Sequence, residues 1–271
     1  VQLMKHTNKN IILSIGTIRT IKQFSKLAKS IYIDKNKVVF NDNFMEQKKK
    51  IDDDYDFFSY LYEDYKQGNH FFGESVTDQQ LSQKPIKLDT TGFVKLLDEF
   101  NSPVFTFNKN KIVITDQIGK KKRVKTYKEI PELPVNQSID NDSLEYVVEV
   151  EKDDMEFIQN YIYETRQQKG YFINGNPTRT KVVFTTERNK KLLVVEDRNH
   201  GITEFKKPIK VVDGPTKKKF KYIHHYMMMN KLPFEDYEVQ LSGRRYLSEW
   251  FCLDKNWKFT IDLLKTTYAK N

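Results

Sequence analysis

Thr91-Gly92-Phe93-Val94-Lys95-Leu96-Leu97-Asp98-Glu99-Phe100 runs, after three residues, into Val104-Phe105-Thr106-Phe107-Asn108-Lys109-Asn110-Lys111-Ile112-Val113-Ile114. In the first part Phe93, Leu96, Leu97 and Phe100 recur with the spacing of one helix face. The second part is β-branched and aromatic on both sides of a Lys-Asn-Lys turn, the pattern of a hairpin. An amphipathic helix passes at once into two antiparallel strands.

The same block occurs earlier in the chain. Thr17 to Lys29 reads as a helix with Ile18, Ile21, Phe24 and Leu27/Ala28 spaced for burial, and Ile31 to Phe40 follows as a hairpin. Both hairpins turn on Lys-Asn-Lys and end at an Asp, Asp42 and Asp116. Weaker copies follow at about 155–195 and about 216–252. A repeated supersecondary unit buries its apolar face only against its neighbours, so the repeat bears on architecture before any single residue does.

Residues 131–143 interrupt the pattern: Pro131 and Pro134 forbid regular ladder bonding, and the polar run after them has no period. The expected organisation is an N-terminal domain over 1–132, a linker over 133–143 and a C-terminal domain over 144–271, with two blocks in each domain. Arg123 to Tyr127 reads as a further strand of the first domain, and Leu144 to Val150 opens the second. Asp153 and Glu156 have capping-box spacing at the start of a third helix with Phe157, Ile158, Tyr161 and Ile162 on its apolar face. Its hairpin is Thr180–Thr186 and Lys191–Asp197, with Asn189 at the turn. A fourth helix is expected from Thr216, burying Phe220, Ile223 and Met227 and stopped by Pro233; three strands then close the chain. Residues 46–86 fit the repeat poorly and read as a strand plus an aromatic, acidic insertion.

The chain has 271 residues, enough for two ordinary cores, and 46 Lys+Arg against 37 Asp+Glu give a net charge of +9. That excess favours a polyanionic partner. Cys252 is the one cysteine, so no disulfide or multi-cysteine metal site forms within the chain, which fits a reducing compartment. No stretch approaches the roughly 18 apolar residues of a membrane span. Val1 to His6 lack an apolar signal-peptide core; no membrane association is expected.

The faces left over by the helices carry the charge. Arg19, Lys22, Lys26 and Lys29 fall at i, i+3, i+7 and i+10, a continuous cationic line on the first helix. Lys217, Lys218 and Lys221 with His224/His225 repeat the line on the expected fourth helix. The third helix offers Gln159, Tyr163 and Arg166, with Lys169 just beyond. The second offers Lys95, offset by Asp98 and Glu99. A like-charge stripe is destabilising unless something anionic lies against it. Duplex phosphates would serve, with steep salt dependence and no base readout.

Motifs for covalent chemistry are absent. Neither a P-loop nor a Gly-x-Gly-x-x-Gly turn occurs, so no nucleotide cofactor is expected. Adjacent His224 and His225 point about 100° apart on a helix and suit zinc poorly. Asp52 to Asp54 lack the accompanying carboxylate, Lys or His of a metal-dependent nuclease and read as an acidic loop. Asp197-Arg198-Asn199-His200-Gly201 is turn chemistry, and Met227 to Met229 read as core filling. The chain is expected to be non-enzymatic, with neither cofactor nor metal.

Leu88 to Leu97 followed by Ile112-Val113-Ile114-Thr115-Asp116, together with Phe220 to Met229 leading through Pro233 to Tyr237-Glu238-Val239-Gln240-Leu241, resembles the DNA polymerase sliding clamps, in particular those of tailed bacteriophages. The resemblance spans most of the chain outside about 46–86 and the loop near 170–178. It implies an α+β, two-domain clamp fold, each domain with two helices on one side of antiparallel sheets. It also implies assembly into a homo-oligomeric ring, typically of three subunits in the phage members. In such a ring the helices line a hole around double-stranded DNA, and Arg19, Lys22, Lys26, Lys29, Lys95, Arg166, Lys217, Lys218 and Lys221 would face the phosphates. The ring tethers a DNA polymerase, is opened by an ATP-driven clamp loader, and acts in the host cytoplasm. The alternative left open by the residues is a monomeric basic nucleic-acid-binding module of phage DNA metabolism.

Overall fold

The computed structural model describes residues 10–12, 15–25, 27–28, 30–43, 70–76, 81–82, 84–108, 110–167, 180–197, 203–215, 220–252, 254 and 256–263. These form two compact units: unit 1 from residues up to Asp42 and from Phe72 to Val135, unit 2 from Asn136 onward with residues 43, 70 and 71 at the crossover.

Unit 1 runs β1 (Asn10–Ile12), α1 (Ile15–Phe24), β2 (Ser30–Ile33), β3 (Lys37–Asn43), β4 (His70–Val76), β5 (Ile86–Asp89), α2 (Phe93–Asp98), β6 (Val104–Asn108), β7 (Lys111–Thr115), β8 (Lys122–Thr126) and β9 (Lys128–Glu129). Its sheets are ordered β1-β6-β7-β8 and β4-β3-β2-β5-β9. Unit 2 runs β10 (Tyr146–Val150), α3 (Lys152–Gln167), β11 (Lys181–Glu187), β12 (Lys190–Asp197), β13 (Thr203–Pro208), β14 (Lys210–Asp213), β15 (Lys221–His225), α4 (Tyr226–Met229), β16 (Tyr237–Ser242), β17 (Leu247–Cys252) and β18 (Trp257–Asp262). Its sheets are ordered β14-β10-β16-β17-β18 and β13-β12-β11-β15.

The two orders are the same once β9 and β14, extra strands at sheet edges, are set aside. Each unit makes two passes of strand, helix and three strands, and the first strand of each pass joins the three strands of the other. Neither pass can complete its sheet alone, so the interlocked pair is the smallest piece with a closed core. The expected α+β class with antiparallel sheets is what the structure has.

Period-two burial explains the strands. Ile31 and Ile33 of β2, Ile112 and Ile114 of β7, and Tyr237, Val239 and Leu241 of β16 are buried while their neighbours are less so. The β11–β12 hairpin turns on Arg188 and Asn189, both at positive φ, the conformation that matches the right-handed strand twist. In unit 1 the core joins Ile21 and Phe24 of α1 to Phe40 of β3, with Phe24 and Phe40 stacked at 4.9 Å. In unit 2 it includes Met155, Ile158 and Ile162 of α3 and a group centred on Trp250, which stacks on Phe259 at 5.7 Å.

His224 lies fully buried in that group, its ring 4.9 Å from Phe184. Ser248 Oγ donates to Ile261 O, accepts from Trp250 Nε1 and lies 3.0 Å from His224 Nε2. Burial pushes the His224 pKa down to about 3.

Four expectations are corrected. The first helix ends at Phe24, because Ser25 Oγ takes the Ile21 carbonyl and Leu27 N closes back on Phe24 O in a tight final turn. The third helix is capped two residues earlier than Asp153/Glu156: Glu151 N donates to Asp154 Oδ2, and Lys152 N to Asp236 Oδ1. The fourth helix, expected over Phe220 to Met227, starts only at Tyr226. Lys221 to His225 form β15, which pairs with β11 in the register Phe184↔Tyr222, and among the described residues of this stretch only Tyr226 to Met229 are helical. Sheet completion there outweighs the helical spacing of Phe220, Ile223 and Met227. Within 46–86, residues 70–76 form β4, a regular member of the repeat, while Asp52 to Asp54 lie outside the described residues.

The stretch read as a linker has neither helix nor strand over 131–140, yet it is fastened to unit 2 from Asn136 on. Thr260 Oγ1 donates to Asn136 Oδ1 at 2.7 Å, Ile139 N donates to the buried Glu249 carboxylate at 3.2 Å, and Arg245 pairs with Asp140. Glu249 is only 4% exposed, so the segment covers a charge that the sheet would otherwise leave bare.

Candidate nucleic-acid interface

In unit 1 the two helices pack beside each other. Each is positioned by its flanks: Thr90 Oγ1 donates to Ala28 O, tying the entry of α2 to the exit of α1, and Gly92 takes the positive φ that turns the chain into α2. Arg19 on α1 and Lys95 on α2 are exposed, and neither has a carboxylate partner among the described residues. Lys22 is different, since its Nζ lies 2.5 Å from Asp98 Oδ1 on α2. The anion against that part of the cationic line belongs to the protein itself. At 31% and 57% side-chain exposure this pair contributes at most about 1 kcal/mol.

The other expected contacts fare unequally. Lys26, Lys29, Lys217 and Lys218 lie outside the described residues. Arg166 sits in the last turn of α3, with its side chain likewise outside them. Lys221 is exposed, but on strand β15 and not on a helix. The second stripe is not continued on a helix: Lys221 and His224 lie on β15, with His224 in the core, and Gln159 of α3 donates to Met229 O and Leu232 O instead of facing outward.

Spacing on helices alone missed a row on β8. Lys121 Nζ lies 2.8 Å from Glu99 O and 3.4 Å from its carboxylate, Arg123 binds the same carboxylate at 2.5 Å, and Lys125 Nζ donates to Thr91 O at 2.9 Å. The Arg123 hydrogen bond holds the Glu99 carboxyl below the usual carboxylate range. Lys-x-Arg-x-Lys is a period-two pattern that overlaps the stretch read as a strand, Arg123 to Tyr127, and begins two residues before it.

The described helix surface of unit 2 has the opposite sign. The exposed positions of α3 include Asp153, Glu156, Asn160, Tyr163 and Glu164, with Lys152 the cation at its start. Beside that start a cavity of about 330 Å³ is lined by Glu149, Glu151, Asp153 and Asp236 with Lys152 and Tyr237. Among the described residues no group of three metal-ligating side chains occurs, and no helix is long and apolar enough to cross a membrane.

No protein-family profile matches the sequence, and no curated protein matches it. Solved structures do. The putative DNA polymerase III beta subunit of Eubacterium rectale superposes with a TM-score of 0.62 at 15% identity, over 96% of this chain and 66% of that one. The Helicobacter pylori beta clamp gives 0.60 at 12% identity over 97% and 66%, and the DNA polymerase III subunit beta of Pseudomonas aeruginosa 0.60 at 7% over 97% and 66%. A further H. pylori beta clamp structure, solved bound to a DNA ligase peptide, gives 0.57 over 96% and 68%. The chain thus spans about two thirds of the length of these proteins. At such identities the likeness is one of architecture, and over nearly its whole length this chain has the sliding-clamp fold.

Proposed function

We propose that this chain is the subunit of a DNA sliding clamp, a processivity factor that encircles duplex DNA and tethers a replicative polymerase. The observation that carries the reading is the clamp fold over 96–97% of the chain, with a cationic helix layer in unit 1. The role is topological, and the protein performs no covalent step. Loose phosphate contacts hold the duplex without base readout, so the ring slides.

The ring is a homo-oligomer, a trimer by resemblance to the tailed-phage clamps, opened by an ATP-driven loader. Its clients, the polymerase among them, dock through short peptides, as the DNA ligase peptide on the H. pylori clamp suggests. β8 and β13 each stand at the end of their sheet, so each offers an unpaired strand edge to another copy.

Micrographs of the assembled particle test the proposal. A closed ring with a duplex-wide hole is the expected result, together with retention on nicked circular DNA that is lost when the circle is cut. A particle that stays monomeric at every concentration overturns the ring and leaves the basic binding module.

A further inference from the structure

Lys121, Arg123 and Lys125 take alternate positions along β8 and its approach, so a period of two puts them on one face. Their contacts identify that face. Lys125 meets the chain just before α2 at Thr91, while Lys121 and Arg123 meet it just after, at Glu99. The row runs alongside α2 from one end to the other, on the helix side of its sheet.

Stabilising α2 accounts for only part of this row. Lys121 complements the negative end of the helix dipole, and Glu99 offsets one of the two cations it touches. Lys125 does neither: it lies near the positive end, where a cation is unfavourable, and no carboxylate pairs with it among the described residues. With Arg19, Lys22 and Lys95, the helix layer of unit 1 presents six cations against Asp89, Asp98 and Glu99. Such a surplus repels itself until a polyanion lies against it.

We infer that Lys121, Arg123 and Lys125 form a second line of phosphate contacts, on a strand and beside the helices. This rests on the sliding-clamp reading. Glu99 competes with each phosphate for Lys121 and Arg123, so the two side chains stay aimed at the channel side while their grip remains weak. A sliding ring requires contacts of that kind.

The test uses the full chain and a fluorescent duplex, with affinity followed from roughly 50 to 200 mM salt. Each phosphate contact contributes about 0.9 to the slope of log affinity against log salt. Lys121→Gln with Arg123→Gln and Lys125→Gln is expected to lower the slope by about 2 to 3, and Lys125→Gln alone by about 1. Glu99→Gln is expected to tighten binding, because it releases two cations to the phosphates. If the triple variant fails to fold, Lys125→Gln, which loses one hydrogen bond to a carbonyl, carries the test. Unchanged slopes in the triple and single variants, beside a weakened Arg19→Gln/Lys95→Gln control, overturn the β8 row and leave the clamp reading intact. A parent chain with no salt-dependent duplex binding overturns both.

Discussion

Units 1 and 2 share one strand order and differ in what their helices show. The layer built on α1 and α2 exposes Arg19 and Lys95 and is flanked by three cations from β8 and its approach; α3, in the position equivalent to α1, exposes Asp153, Glu156 and Glu164. Topology depends on buried apolar positions, and both units keep those. Surface charge is free to diverge, so the same architecture carries two electrostatic surfaces. Binding of a polyanion should then be unequal between the units.

The largest expected effect tests whether the two cores are separate. Trp250→Ala removes the centre of the unit 2 core and should cost about 3–5 kcal/mol. In chemical denaturation it should advance the unit 2 transition while the burial of Phe24 and Phe40 in unit 1 persists. A single transition shifted as a whole would show that the units unfold as one. Next, Arg19→Glu with Lys95→Glu should weaken duplex binding on the order of 100-fold at low salt. The same assay on Glu156→Lys with Glu164→Lys should show a smaller gain, about ten-fold, because it removes repulsion from unit 2. Equal losses from neutralising either unit would erase the contrast.

A further effect is set by pH. His224 is depressed from 6.5 to about 3 in the fold, so below about pH 6.5 the unfolded chain takes up a proton that the folded chain refuses. Unit 2 should therefore lose stability as pH falls from about 6.5 toward about 3, by about 1.4 kcal/mol per pH unit, and no further from this group below that. His224→Gln should flatten the slope of an acid-denaturation series; an unchanged slope would place the linkage elsewhere.

Much of the fold could be read from residue spacing. Ile18, Ile21 and Phe24 on α1, the β6–β7 and β11–β12 hairpins, and the apolar face of α3 all show local periods that burial then matches. The site was less legible. Arg19 and Lys95 are exposed on helices as their positions indicate, but the partner of Lys22 is Asp98, 76 positions away in the chain. The β8 row escaped because cations were sought at helical spacing, and Lys221 was misassigned because a stretch as short as Lys221 to His225 carries both periods about equally well.

By its own pattern of apolar and polar residues, the sequence determined the recurring helix-and-hairpin block, an α+β class and an excess of positive charge. These are local quantities, written in the spacing of neighbours along the chain. Tertiary structure decided that the first strand of each pass completes the other pass's sheet, that Lys221 to His225 close a sheet edge, and that Lys121, Arg123 and Lys125 lie along α2. Such outcomes depend on which distant strand edge or carbonyl is left without a partner, and a backbone group excluded from water must find one wherever in the chain it lies.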